Sequence, residues 1–162
     1  MTIFDIVPAT MAHAVAIHER VRAAEVREIQ DSHGLSIDEY LLLDMRRSTS
    51  AWAWLVDGQV GCMFGVVVNN LMSGDSYPWF ISTALVDEFS FNFAKSCKRL
   101  LPELLEAHPN MRGMVDARYQ LSLRWLQWLG AEMKDAIPWG ANNKPFIPFE
   151  MRRKHDNAGE SK

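Results

Sequence analysis

The chain has only two cysteines in 162 residues, Cys62 and Cys97, both in apolar surroundings and in no C-x-x-C or Cys/His spacing. That argues against a disulfide framework and predicts two reduced core thiols. No apolar run approaches about 18 residues, so no membrane-spanning helix is predicted, and no signal peptide or lipobox is visible. There is no surplus of positive charge. Seventeen Lys and Arg stand against 20 Asp and Glu, a net charge of −3, which makes nucleic acid an unlikely partner because phosphate binding needs a local excess of cations. His13, His18, His108 and His155 form no ligand pattern with any acid, and no metal is predicted. No serine stands in a G-x-S-x-G context, and no repeat or long linker divides the chain. What these absences leave is one ordinary domain over residues 1–151, with a polar tail at 152–162 expected to be disordered. The 48% apolar and 23% charged residues fit that class.

The stretch from Met114 to Glu132 carries the strongest local signal. Met114 to Ala117 reads as the end of a buried strand. Leu121, Trp125, Trp128 and Leu129 then fall at i, i+4, i+7 and i+8, one face of a helix that Gly130 ends. Two tryptophans and two leucines on one face predict packing on a sheet. Upstream, Thr2–Val7 reads as a strand stopped by Pro8. Thr10 caps a helix running to about Ile29, and Asp31–Gly34 reads as a turn. Ser36 and Glu39 form a capping box for a second helix to about Arg47. Ala51–Val56 and Gln59–Val68 are strands joined by the hairpin signal Asp57-Gly58, with Gly61 and Gly65 marking a bulge or a close backbone approach. Alternation puts Trp52 and Trp54 on one strand face. Asn69–Ser76 reads as a loop and Tyr77–Ser82 as a strand. Thr83–His108 reads as a long helix kinked at Pro102. Ala131–Ile137 and Pro145–Met151 are two final strands, with Trp139–Asn143 the loop between them. The predicted order is β-α-α-β-β-β-α-β-α-β-β, a mixed, mostly antiparallel sheet with helices on both faces.

Strand, polar turn, then S-x-R-W-L-x-W-L-G-A at 122–131 resembles the C-terminal motif of the GNAT (Gcn5-related N-acetyltransferase) fold. Ser32-His33-Gly34, STSAWAWLVDGQVGCMF at 48–64, Pro78-Trp79, Val115–Arg118 and Ser122–Leu126 resemble, more closely, the small phage GNAT-like proteins. Those are grouped with the internal virion protein A of short-tailed phages, and the likeness spans residues 1–152. It implies a location in the host cytoplasm or the virion and a phage or host protein as partner, and leaves the oligomeric state open.

The resemblance also implies a cofactor and a place for it. Active GNAT members hold the acyl-CoA pyrophosphate on backbone amides after the fourth strand, in a motif R/Q-x-x-G-x-G/A at a helix N-terminus. The matching segment here is Ser82–Phe89, STALVDEF. It has no glycine, opens on neither Arg nor Gln, and carries Asp87 and Glu88. If acetyl-CoA binds, the resemblance assigns it to Ser82, Thr83, Ala84 and Leu85, with Ser122 beside them. The general acid of many members is a Tyr four residues before the helix-ending glycine, which here is Leu126. Tyr119, in the preceding turn, is the substitute candidate. Glu25, Glu28 and His33 border the acceptor side, and Glu28 or His33 is the candidate base. Two readings stand: a virion-associated or assembly protein that catalyses nothing, and an acyl-CoA-dependent N-acetyltransferase.

Overall fold

The computed structural model describes residues 1–153. Eight strands form one sheet in the order β1-β2-β3-β4-β5-β8-β6, with β7 on β8. They are β1 (Phe4–Pro8), β2 (Ser48–Val56), β3 (Gln59–Asn70), β4 (Asp75–Ser82), β5 (Asn110–Asp116), β6 (Glu132–Met133), β7 (Ile137–Trp139) and β8 (Lys144–Arg152). Every pairing is antiparallel except β4 with β5. One face packs against α1 (Met11–Ile17), α2 (Ala23–His33) and α3 (Ile37–Arg47). The other packs against α4 (Leu85–Glu88), α5 (Ser90–Ala107) and α6 (Gln120–Trp128). The mixed, mostly antiparallel sheet with helices on both faces is therefore as the sequence predicts.

Strand alternation sorts the core. Trp79 and Ile81 of β4 join Tyr40 and Leu41 of α3 on one face. Phe80 joins Phe93 of α5 on the other, and Met111 and Val115 of β5 pack against Leu126 of α6. Three glycines lie under aromatic rings: a Cβ on Gly61 would meet Trp54, on Gly65 Trp79, and on Gly113 Phe149, at 2.4 to 2.6 Å. Gly61 is also the bulged residue, since Trp54 pairs Cys62 while Leu55 pairs Val60. The Ser36–Glu39 capping box forms, and the Thr10 cap is completed into a second box by His13. Trp52 and Trp54 share a face, stacking on Phe64 and against Phe93.

Several boundaries differ from the sequence expectation. The helix expected from Thr10 to Ile29 breaks at His18–Arg22, because Val21 bridges Thr83 and the Arg22 amide donates to the Ser82 carbonyl at 3.1 Å. Strand pairing on the free edge of β4 overrides helix propensity there. α2 then runs on through the expected Asp31–Gly34 turn and ends at Gly34, whose φ is 68°. β3 and β4 extend into the expected loop, leaving only a turn at 71–74. The long helix breaks at Phe89, not Pro102, which α5 carries within it. The expected Ala131–Ile137 strand is two short ones, and the loop expected to begin at Trp139 begins after it. α6 turns Ser122, Trp125, Leu126 and Leu129 inward. Leu121 and Trp128 are 46% and 48% exposed, and the Lys98 ammonium lies 4.3 Å from the centre of the Trp128 ring. Arg152 belongs to β8 rather than to a tail, and Arg153 bonds the Pro109 carbonyl. The rest of the expected tail, 154–162, lies outside the described residues.

Phe149 covers Gly113 so closely that Gly113→Ala must displace the ring. Overpacking of this kind costs about 1–3 kcal/mol, so the variant's urea midpoint should fall with its m-value unchanged.

Candidate active site

β4 and β5 run parallel but pair only at Asp75–Asn110 and Ser76–Met111. Beyond that vertex they diverge, and a cleft of about 480 Å³ opens between them. On the α2–α3 side it is lined by Glu25, Glu28, Ser32, His33, Tyr40 and Trp139. On the α5–α6 side the wall includes Leu100, Leu101, Leu104, Trp125, Leu126 and Leu129, with Ser122 among them.

The open end of the splay leaves two backbone N–H groups without a strand partner. α2 supplies both acceptors, from side chains one turn apart. Glu25 takes the Ser82 amide at 2.8 Å and the Ser82 hydroxyl at 2.5 Å. Glu28 takes the Asp116 amide at 3.0 Å. Glu25 is 4% exposed. Burial pushes its carboxyl above the usual range, against the opposing pull of Ser82 and of Arg22, whose Nε lies 3.0 Å away. Glu28 has no such dedicated cation. Burial, with the negative charges of Glu25 and Asp116, outweighs its bond to the Asp116 amide and lifts it to about 7. It is therefore divided between acid and base at neutral pH.

A second network fixes α2 in this position. Asp116, fully buried, receives Arg118 Nε at 2.9 Å and Nη2 at 2.7 Å. The same Arg118 Nη2 donates to Asp31 at 2.5 Å, and Asn142 Nδ2 donates to Asp31 at 2.9 Å. The far end of α2, the β5–α6 turn and the β7–β8 turn are thereby tied together. Sequence reasoning missed this cluster and Arg22. The one legible trace was the i, i+3 spacing of Glu25 and Glu28.

The expected site residues divide. Glu28, His33 and Ser122 line the cleft. Ser32 Oγ lies 2.7 Å from His33 Nδ1, and the His33 ring packs edgewise on Tyr40 and Trp139. Burial lowers the His33 pKa, so its imidazole is neutral at pH 7. Tyr119 sits instead at the entry to α6, with the Arg22 guanidinium 5.7 Å from its ring. Burial and the Glu25 charge hold its phenol above the usual value, which makes it a reluctant proton donor.

The amides of the expected pyrophosphate cradle are largely engaged within the protein. The Ser82 amide is held by Glu25, the Thr83 amide by the Gly61 carbonyl at 3.0 Å, and the Leu85 amide by Thr83 Oγ1 at 3.2 Å. Of the four amides assigned to the cofactor, three are engaged within the protein. α4 is a single turn whose Asp87 is paired with Arg22 at 2.9 Å. As they stand, these residues do not fit a diphosphate. Among the described residues no cluster of His, Cys, Asp and Glu has a metal-binding arrangement, and no helix is long and apolar enough to cross a membrane.

No protein-family model and no curated protein sequence matches the chain. Solved structures do. An N-acetyltransferase from Staphylococcus aureus Mu50 is 14% identical, covers 94% of this chain and 99% of its own, and has a TM-score of 0.67. AAC(6')-Ib, solved with paromomycin and acetyl-CoA, is 11% identical over 95% and 96% of the two chains, TM-score 0.66. RimL, a ribosomal alpha-N-protein acetyltransferase solved with coenzyme A, is 10% identical over 92% and 93%, TM-score 0.65. The fold is that of the GNAT acetyltransferases.

Glu28 gives the fold a pH signature. Its folded pKa of about 7 lies above the ordinary carboxylate value near 4.3, so the folded state holds the proton more tightly. Stability from this group is therefore full below about pH 4.3 and declines as pH rises to about 7. Glu28→Gln should remove that decline, making the variant more stable than the parent by about 1–2 kcal/mol at pH 8 after allowance for solvent screening. Urea unfolding of both proteins from pH 4 to 8 measures the difference.

Proposed function

We propose that the protein is a GNAT-type N-acyltransferase whose reaction takes place in the β4–β5 splay, with Glu28 as general base. The observation that carries this is a carboxylate fixed by the Asp116 amide in the cleft between β4 and β5, where burial lifts it to about 7. A base is most effective when its pKa lies near the working pH, and perturbed groups in clefts concentrate at functional sites. Two of the neighbours named above are N-acetyltransferases, and acetyl-CoA accompanies the third. In this chain Glu28 would receive the proton of an amine entering from the α2–α3 side. His33, neutral and hydrogen-bonded to Ser32, would shape that entrance.

Acetyl-CoA remains the reference donor, yet its diphosphate would meet Asp87, Glu88 and amides already engaged. That observation favours a second reading: the fold kept as a scaffold, in a phage or host-protein assembly of the kind the sequence resemblance implies, within a host cytoplasm or a virion. Acetyl-CoA calorimetry with a thermal-shift control separates the two. A ligand bound only by the folded state adds about 2.7 kcal/mol at 100-fold over its dissociation constant. Micromolar binding supports the transferase; none at millimolar ligand, together with no turnover of any thioester, supports the scaffold.

If the transferase reading holds, kcat/KM should rise with pH through about 7 as Glu28 ionises. Glu28→Gln should lose that limb and fall by about 10²–10⁴-fold. A variant with unchanged turnover would remove Glu28 from the role of base.

A further inference from the structure

The chain is acidic as a whole, with a net charge of −3, but its charges are not spread evenly. No Asp or Glu stands between Phe89 and Pro102 or between Ala117 and Ala131. Those stretches span most of α5 and the whole of α6. On α5, Phe91, Lys95, Lys98 and Arg99 follow the i, i+4, i+7, i+8 spacing of one helix face, and all four are exposed. On α6, Leu121, Arg124 and Trp128 fall at i, i+3 and i+7 and are exposed as well. Lys98 joins the two stripes. Its ammonium donates to the Trp128 carbonyl at 3.1 Å and lies over the Trp128 ring.

The cations of this face are unspent. Lys95, Arg99 and Arg124 form no ion pair among the described residues. Of the nearest acids in sequence, Asp87 is paired with Arg22 and Glu106 with Arg153, while Glu88 and Glu103 flank α5's acid-free stretch at its two ends. Charges are screened beyond about 10 Å in salt, so a partner touching this face meets the cations rather than the net charge. The apolar side chains among them are large: Phe91 is 77% exposed, and Leu121 and Trp128 are also open to solvent. Exposed apolar groups gathered on one face mark an interaction surface. The cations require the partner to be anionic. A nucleic-acid strand needs ring faces open for stacking, but Lys98 lies over the Trp128 ring and Leu121 has no ring. A bilayer needs only apolar tips to enter it, with Trp at the headgroup level and the stems of Lys and Arg reaching to the phosphates.

We propose that the outer face of α5 and α6 docks the protein on an anionic lipid bilayer. Phe91, Leu121 and Trp128 enter the boundary of the acyl chains, and Lys95, Arg99 and Arg124 meet the lipid phosphates. Both helices lie in the interface and no segment crosses it. α1, α2 and α3 cover the opposite face of the sheet, so the Glu28 side of the cleft points away from the bilayer and stays open to a partner from solution. The docking does not rest on the transferase reading and holds equally for a scaffold.

The test is co-sedimentation of the full chain with vesicles of phosphatidylcholine alone and of phosphatidylcholine mixed with phosphatidylserine. Binding should require the anionic lipid and weaken with added salt. Lys95→Gln combined with Arg124→Gln should lower the partition coefficient by about 25-fold, about fivefold for each cation near the surface. Phe91→Ser should lower it by about tenfold through lost apolar burial. Vesicles with brominated acyl chains should quench the tryptophan fluorescence of the wild type and far less that of Trp128→Phe. The substituted residues are all exposed, and melting temperatures check that each variant is folded. Equal partition onto neutral and anionic vesicles, or none onto either, overturns the proposal. Anionic binding that ignores Phe91→Ser and gives no bromine quenching is adsorption by charge alone and overturns it too. A thymidine oligonucleotide bound at the same salt in place of the vesicles would give this face to nucleic acid instead.

Discussion

The structure depends on two carboxylates of one helix bridging two strands that have come apart. β4 and β5 pair at their first residues only, and a parallel pair that diverges exposes backbone donors in the interior of the sheet. Buried donors must be satisfied. Here Glu25 satisfies the Ser82 amide and Glu28 the Asp116 amide. The i, i+3 spacing that places both side chains on one side of α2 is what lets a single helix span the gap. The two carboxylates repel each other, and Glu25 is paired with Arg22, whereas the pull of Arg27 on Glu28 is the weakest of the influences on it. Glu28 is left as the group whose charge is marginal at neutral pH. The contact that keeps the splay open and the group that would do the chemistry are thus the same.

Much of the frame was legible because it is local. Asp57-Gly58 gives a hairpin, with both residues at positive φ. Ser36 and Glu39 give a capping box, and the period of Thr83–His108 gives a helix even though its break lies at Phe89. What was not legible is set by distant partners. Nothing near Val21 announces an extended residue; the free edge of β4, some sixty positions later, demands it. Leu121 and Trp128 satisfy the helical period as well as Leu126 does. Which side faces inward was decided by the sheet surface on which α6 packs, which periodicity cannot register.

The candidate site divides in the same way. The missing glycine in Ser82–Phe89 was visible at once, and so were Asp87 and Glu88. That the amides of that turn would be consumed by the protein itself was invisible, since the acceptor for Ser82 is a glutamate 57 residues away. Glu28 and His33 could be named because the family resemblance puts their helix-turn region on the acceptor side. The Asp116–Arg118–Asp31–Asn142 cluster that holds their helix draws on three segments far apart in sequence.

The polarity of the cleft follows from the simplest property of a strand. Successive side chains point to opposite faces, so Trp79 of β4 faces α3 while Phe80 faces α5. On β5, Val115 enters the apolar core beside α6 while its neighbour Asp116 binds Arg118. Where two such strands part, the gap joins a chamber that tolerates charge to one that does not. The Asp116 amide holds Glu28 at the edge between the two sides.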